Sequence, residues 1–158
     1  MKLRKPSEGE IFRLKAIADY QFGWPAGDLL FPHEDQIIVG ISPATRRIRE
    51  VYDSEGLIAV LRAHDYYYSL SLLGADRLRK GFPLPRLRVI VRMLREKTKT
   101  VFANDVIDID TNLKAGDEVI IVDPEDRLLG VGRLRLSPAD ILSKVSGEAV
   151  RVRKLVRR

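Results

Sequence analysis

The feature that most constrains this chain is a pair of strand-like apolar runs, at 118–122 and 128–136, held around the polar turn 123–127 and punctuated by glycines. Ahead of the pair lies the loop Leu113-Lys114-Ala115-Gly116-Asp117, and behind it Ser137-Pro138 opens a short helix. Gly116, Gly130 and Gly132 fall where a chain needs positive φ or room for a close neighbour. Short strands, tight turns and one short helix predict a small barrel over 94–158, near the lower size limit for independent folding.

The residues ahead of the barrel read differently. Ser7-Glu8-Gly9-Glu10 fits a capping box, and Ile11, Leu14, Ile17 and Ala18 recur at helical spacing until Gly23 and Pro25 end the pattern. The segment 20–31 is aromatic and glycine-rich. It can stack bases or fill a core, and the apolar area of its Trp and Phe favours the core. Strands are expected at 36–41, 48–52, 57–62 and 66–72, with Tyr66, Tyr68 and Leu70 on one face. A helix over 75–80, started by Gly74, and a strand over 87–91 follow, and 93–99 is the connection into the barrel. The expected architecture is an α+β domain over 1–93 and a mostly β barrel over 94–158.

The chain has 158 residues, no cysteine and a net charge of +6. Without cysteine there is no disulfide and no thiolate-ligated zinc or iron–sulfur site. No apolar run approaches the roughly 20 residues that span a bilayer, and the N-terminus lacks a signal-peptide core, so a cytoplasmic protein is expected. The positive charge points to an anionic partner, nucleic acid first, and it concentrates in the acid-free tail from Arg151 onward.

No catalytic constellation stands out. His33 and His64 sit in unrelated turns without metal-ligand spacing. Asp108 and Asp110 alternate with Ile107 and Ile109, a pattern that suits a half-buried strand better than paired acid–base carboxylates. Gly130-Val131-Gly132 lacks the third glycine and the helix of a nucleotide loop. No metal, no cofactor and no small-molecule substrate is expected.

The run VFANDVIDIDTNLKAGDEVIIVD…LLGVGRLRLSPADIL…GEAVRVRK resembles the PUA domain, an RNA-binding pseudo-barrel, over about 55 residues. LKAIADYQFGWPAGDLLFP, the segment 46–78 and FPLPRLRVIV are similar to the region just before the PUA domain in archaeal tRNA-guanine transglycosylases and archaeosine synthases. The resemblance implies a tRNA grip on the acceptor stem and 3′ end, without the catalytic barrel, working in trans with a catalytic partner subunit. It implies RNA contacts at Phe102, Ala103, Asn104, Lys114, Ala115, Gly116, Asp117, Arg151, Arg153 and Lys154. Asn104-Asp105 departs from the lysine and aromatic residue usual in those enzymes. The alternative from another class is a protein-docking or assembly module with incidental RNA affinity. Lys114 and the tail arginines suit phosphate contacts on chemical grounds alone.

Overall fold

The computed structural model describes residues 1–143 and 146–157. The chain divides into two compact units, Met1–Gly81 and Phe82–Arg158.

The first unit is a five-stranded antiparallel meander with three helices. Its strands β1 (Lys2–Arg4), β2 (Ile38–Ile41), β3 (Ile48–Asp53), β4 (Gly56–Leu61) and β5 (Tyr68–Leu70) lie side by side in chain order. The helices are α1 (Glu8–Phe22), α2 (Ala26–Leu30) and α3 (Leu72–Gly81). The capping box forms: Ser7 Oγ accepts from the Glu10 amide at 3.2 Å, and Glu10 Oε1 accepts from the Ser7 amide at 2.9 Å. Arg4 then holds the same carboxylate through two 2.8 Å bonds, tying β1 to the helix start. Leu14, Ala18 and Phe22, spaced by four, bury one face of α1, and Tyr68 donates its buried hydroxyl to the Leu14 carbonyl at 2.9 Å. Arg77 of α3 reaches both the Leu30 carbonyl (2.9 Å) and the Asp53 carboxylate (2.8 Å), which joins α2, α3 and the β3–β4 turn.

Several expectations need correction here. Gly74 does not start its helix but lies inside it, packed so tightly on β4 that an added Cβ would sit 2.3 Å from the Ile58 carbonyl oxygen. The aromatic segment splits, with Phe22 and Phe31 buried but Tyr20 and Trp24 exposed. Tyr66 does not share the strand face of Tyr68 and Leu70, since it occupies the left-handed position of the turn with φ 59°.

The second unit is a six-stranded sheet in the order β7-β11-β10-β9-β6-β8. Its strands are β6 (Arg88–Val91), β7 (Thr100–Phe102), β8 (Val106–Ile109), β9 (Glu118–Val122), β10 (Leu128–Leu134) and β11 (Glu148–Leu155), and α4 (Pro138–Leu142) follows β10 with Ser137 as its cap. β7 and β8 stand at opposite edges of this sheet, yet the 3₁₀ turn Ala103–Asp105 alone separates them. A connection that short reaches only about 10–14 Å, so the sheet has to curl until its edges approach. The result is a pseudo-barrel.

A boundary at 93/94 therefore falls in the wrong place. β6 pairs parallel with β9 (Arg88↔Ile120) and antiparallel with β8 (Val89↔Ile109), in the interior of the second sheet. Its apolar pattern alone does not say which sheet it joins, and side-chain pairing decides. The Arg88 side chain, 1% exposed, donates from Nε and Nη2 to Asp126 at 3.1 and 2.9 Å and from Nη1 to the Phe82 and Arg86 carbonyls. Asp110 accepts from the Leu87 amide at 2.8 Å and returns its own N–H to the Arg88 carbonyl. Asp108 and Asp110 thus do not share one side of the strand: Asp108 is exposed and Asp110 buried.

Removing one member of a buried ion pair costs about 3–5 kcal/mol. Arg88→Met is expected to lose stability on that scale in denaturant unfolding, while Arg127→Ala, at an exposed turn pair, leaves the midpoint nearly unchanged. A second prediction concerns acid. The Glu10 carboxyl is held at about 2 against an ordinary 4.5, first by the Arg4 guanidinium and then by the Ser7 amide. A depressed carboxyl pKa stabilises the fold above the unfolded value, and that stability is lost as pH falls through about 2. The stability gap between the native chain and Glu10→Gln is expected to stay constant above pH 4.5 and to shrink below it, as followed by thermal melts at stepped pH.

Candidate nucleic-acid interface

The loop before β9 is built as a rigid platform. Gly116 takes φ +97°, a conformation glycine adopts without penalty, and an added Cβ would meet nothing within 4 Å, so the backbone angle is what requires glycine here. Asp117 Oδ2 accepts from the Lys114 amide at 2.8 Å, and the Asp117 amide returns a bond to the Lys114 carbonyl. The Gly116 amide and the Asp117 carbonyl then bond the backbone of Leu134 at 2.7 and 2.8 Å. Leu113 anchors the loop in the core and leaves Lys114, Ala115 and Gly116 exposed.

Arg133 joins this loop to the last strand. Its Nε and Nη2 both reach the Gly116 carbonyl at 3.3 Å. It lies opposite Glu118 on one side and Arg151 on the other, and Arg151 in turn lies opposite Thr100. Arginines directly opposed across two strands repel. Two carboxylates lie among these arginines. Arg151 bonds Glu148 at 2.6 Å, and this contact holds the Glu148 carboxyl below its usual range. Arg153 bonds the fully buried Glu118 carboxylate through both terminal nitrogens.

Arg153 reaches Glu118 because the ladder slips there: Val131 faces Lys154 and Gly132 faces Val152, which leaves Arg153 as the extra residue of a bulge. Gly132 permits the approach. A Cβ on it would lie 2.2 Å from the Arg151 carbonyl oxygen, and one on Gly130 would lie 2.6 Å from the Lys154 carbonyl oxygen.

The structure brings Lys114, Ala115, Gly116, Asp117 and Arg151 into one neighbourhood through Arg133, which sequence reasoning did not single out. Its signal was present: Leu134 is buried, so Arg133 falls on the outward alternate of β10 and exposed Arg135 follows just past the strand's end. Phe102, 55% exposed, pairs across from Glu148, with exposed Asn104 just beyond it. Ala103 is buried and gives its N–H to the Gly147 carbonyl, so it presents no side chain. Arg153 is occupied by Glu118, whereas Lys154 is exposed at the far end of β11. Among the described residues Lys114, Arg133, Arg135 and Lys154 make no ion pair.

At the opposite end of β9 and β10 a cleft of about 770 Å³ is lined by Leu94, Arg95, Lys97, Arg127, Leu128 and Leu155, among others. None of the sequence-predicted residues lines it. Among the described residues no group of His, Asp and Glu could hold a metal ion, and no helix is long and apolar enough to cross a membrane.

A curled sheet carrying this loop-and-strand platform defines a PUA domain, and residues 88–156 match that family. Residues 12–85 match the patch-forming domain C2 of tRNA-guanine transglycosylase. The chain is thus a two-domain C2–PUA protein, and the pair corresponds to the C-terminal region of the archaeal tRNA-guanine(15) transglycosylases. It is 40% identical over 149 residues to that enzyme of Methanothermobacter thermautotrophicus, covering 92% of this chain and 22% of the relative. Against the Thermococcus kodakarensis enzyme the values are 34% over 157 residues, 96% and 26%. The chain spans about a quarter of the length of these relatives. Two solved structures share its fold. A hypothetical protein of Pyrococcus horikoshii superposes with a TM-score of 0.73 at 18% identity, covering 99% of this chain and 96% of that one. A conserved PUA domain protein from Thermoplasma acidophilum gives 0.66 at 15%, covering 99% and 95%.

Gly132→Ala is expected to cost roughly 1–3 kcal/mol through displacement of the Arg151 carbonyl, a backbone atom that has no rotamer to escape into. Gly116→Ala meets no such obstacle and pays only for positive φ, about 1 kcal/mol. Thermal melts of the two variants side by side check that order.

Proposed function

We propose that this chain is a non-catalytic RNA-binding protein that grips tRNA with its PUA unit and serves a tRNA base-modifying enzyme in trans, in the cytoplasm. The observation that carries the reading is the Lys114–Gly116 loop fastened by Arg133 beside Arg151. Lys114 supplies a compact charge for one phosphate, and Arg151 a planar fork for another. Gly116 leaves its backbone bare, so a ribose can approach. Such a surface suits A-form RNA, whose shallow minor groove offers 2′-hydroxyls and flanking phosphates while its deep major groove excludes side chains.

Three of the carboxylates that the sequence brings forward are taken up by structural contacts, which supports a binding part for this chain. Asp110 is consumed by the Leu87 amide, Asp117 by its own loop, Glu118 by Arg153, and both histidines stand in exposed turns. The 34–40% identity to part of the archaeal tRNA-guanine(15) transglycosylases supports a role in tRNA base modification.

Binding of the purified chain to tRNA across a salt series, with duplex DNA as competitor, tests the reading. We expect affinity to fall steeply with salt, as phosphate contacts require, and DNA to compete poorly. Lys114→Glu with Arg133→Glu is expected to weaken tRNA binding by roughly tenfold or more, about 1.4 kcal/mol. Salt-insensitive binding, or a double variant that binds as well as the native chain, overturns it.

A further inference from the structure

Large aromatic side chains on a helix ordinarily face the core, where burial of their apolar area stabilises the fold. The first unit departs from that rule along one edge. Phe12 and Tyr20 on α1, and Trp24 just past its glycine cap, are 77%, 79% and 76% exposed. Phe12, Ala16 and Tyr20 are spaced by four residues and so form one stripe, offset by two positions from the buried stripe of Leu14, Ala18 and Phe22.

Two hairpin loops extend this stripe. The β2–β3 loop bonds Ser42 N–H to the Arg47 carbonyl (2.9 Å) and Arg46 N–H to the Ser42 carbonyl (2.8 Å). The β4–β5 loop repeats the pattern with Arg62, Tyr67 and Tyr66, at 2.8 and 3.0 Å. The fifth residue of each, Arg46 and Tyr66, takes φ 59°. In a meander alternate loops emerge at the same end, so these two lie side by side. The Arg47 guanidinium accordingly sits 5.9 Å over the Tyr66 ring. Gln21 clamps the backbone of Tyr68 with two bonds, at 2.9 and 2.6 Å, and this brings Tyr20 onto Tyr67, rings 6.1 Å apart and 19° from parallel.

We propose that this aromatic edge — Tyr20, Trp24, Tyr66 and Tyr67 with Arg46 and Arg47 — is a second nucleic-acid site that takes unpaired nucleotides by stacking. It lies in the first unit and involves none of the PUA residues. The local charge selects the ligand. Among the described residues Arg13, Arg46 and Arg47 make no ion pair, so all three remain available to phosphate. The neighbouring acids are already engaged: Asp65 accepts from Arg62 and the Tyr67 amide, and Asp19 accepts from the Gly27 amide. Rings of Tyr and Trp beside arginines without a carboxylate partner match what single-stranded nucleic acid offers, a π-face at every base and a charge at every phosphate. An apolar protein partner would leave these guanidiniums to be desolvated without compensation.

Trp24 is the one tryptophan of the chain, so its fluorescence reports on this edge alone. A ten-residue oligo(U) titrated into the full chain is expected to quench that emission saturably, and a blunt RNA duplex is not. By anisotropy of labelled oligo(U), Tyr20→Ala and Arg47→Ala are each expected to raise Kd about fivefold or more, with Tyr20→Phe near native because the ring face is retained. Lys114→Glu with Arg133→Glu is expected to leave the oligo(U) quench in place while it weakens tRNA. Failure of the grip on tRNA and failure of this site are thereby read separately. No quench by oligo(U), a quench that Tyr20→Ala leaves unchanged, or a quench abolished by the Lys114/Arg133 variant overturns the proposal. So does self-association lost in Tyr20→Ala without any oligo(U) binding, since that outcome makes the edge a protein-docking face.

Discussion

A guanidinium sealed inside a protein must be met at every nitrogen, and Arg88 imposes that demand on the segment that opens the second unit. Its partners include the Phe82 and Arg86 carbonyls ahead of it and the Asp126 carboxylate from the β9–β10 turn. Asp110 adds a further tie just ahead of the same strand, through the Leu87 amide. On either side of these contacts Leu87 and Asp126 take left-handed backbone conformations, at φ 65° and 62°, which are uncommon for a leucine and well tolerated by an aspartate. The strand β6 is thus locked between β8 and β9, and the curl of the sheet follows from the short link between its two edges. The loop that carries Lys114 is hung on that frame through Leu134.

Much of this was legible in the residues. The capping box, the turn at 123–127, the β9 limits, the Ser137 cap and the glycines of β10 all rest on local chemistry, and local chemistry is what a sequence displays. The misreadings share a different cause. β6 is apolar whichever sheet receives it, and its place is settled by Arg88, a residue that looks like a surface charge until Asp126 comes to meet it. Asp110 looks like one member of an alternating pair, yet it serves as a backbone acceptor. Gly74 carries the same mark as a helix breaker and as a close-packing position, and only the neighbouring Ile58 carbonyl separates the two. The candidate site divides along the same line. The exposed loop at 114–116 was readable because loops declare themselves, whereas Arg133 becomes significant only when β10 is laid beside β9 and β11.

Charge counting along the tail also overstates what is on offer. Arg151 and Arg153 dominate the sequence there, but each meets a carboxylate supplied by its own domain, and the two carboxylates differ in burial. In the Arg151–Glu148 pair the arginine is exposed and the acid half-buried, so this guanidinium remains accessible. Glu118 is fully buried and cannot be left alone without a large penalty, so Arg153 is committed to holding the bulge. The basic surface is better described by Lys114, Arg133, Arg135 and Lys154 than by the tail's composition.

The position of β6 ahead of the 92–99 connection has a practical consequence for dissecting the protein. A fragment begun at residue 94 retains every residue of the loop and of β7 to β11, but it strips the neighbour from the inner edges of both β8 and β9. β9 reads Glu-Val-Ile-Ile-Val, and an unpaired strand of that composition recruits other chains. It also loses Arg88, the counter-charge of Asp126. A fragment begun at Phe82 keeps the sheet whole, so where the cut falls decides between a soluble domain and an aggregate.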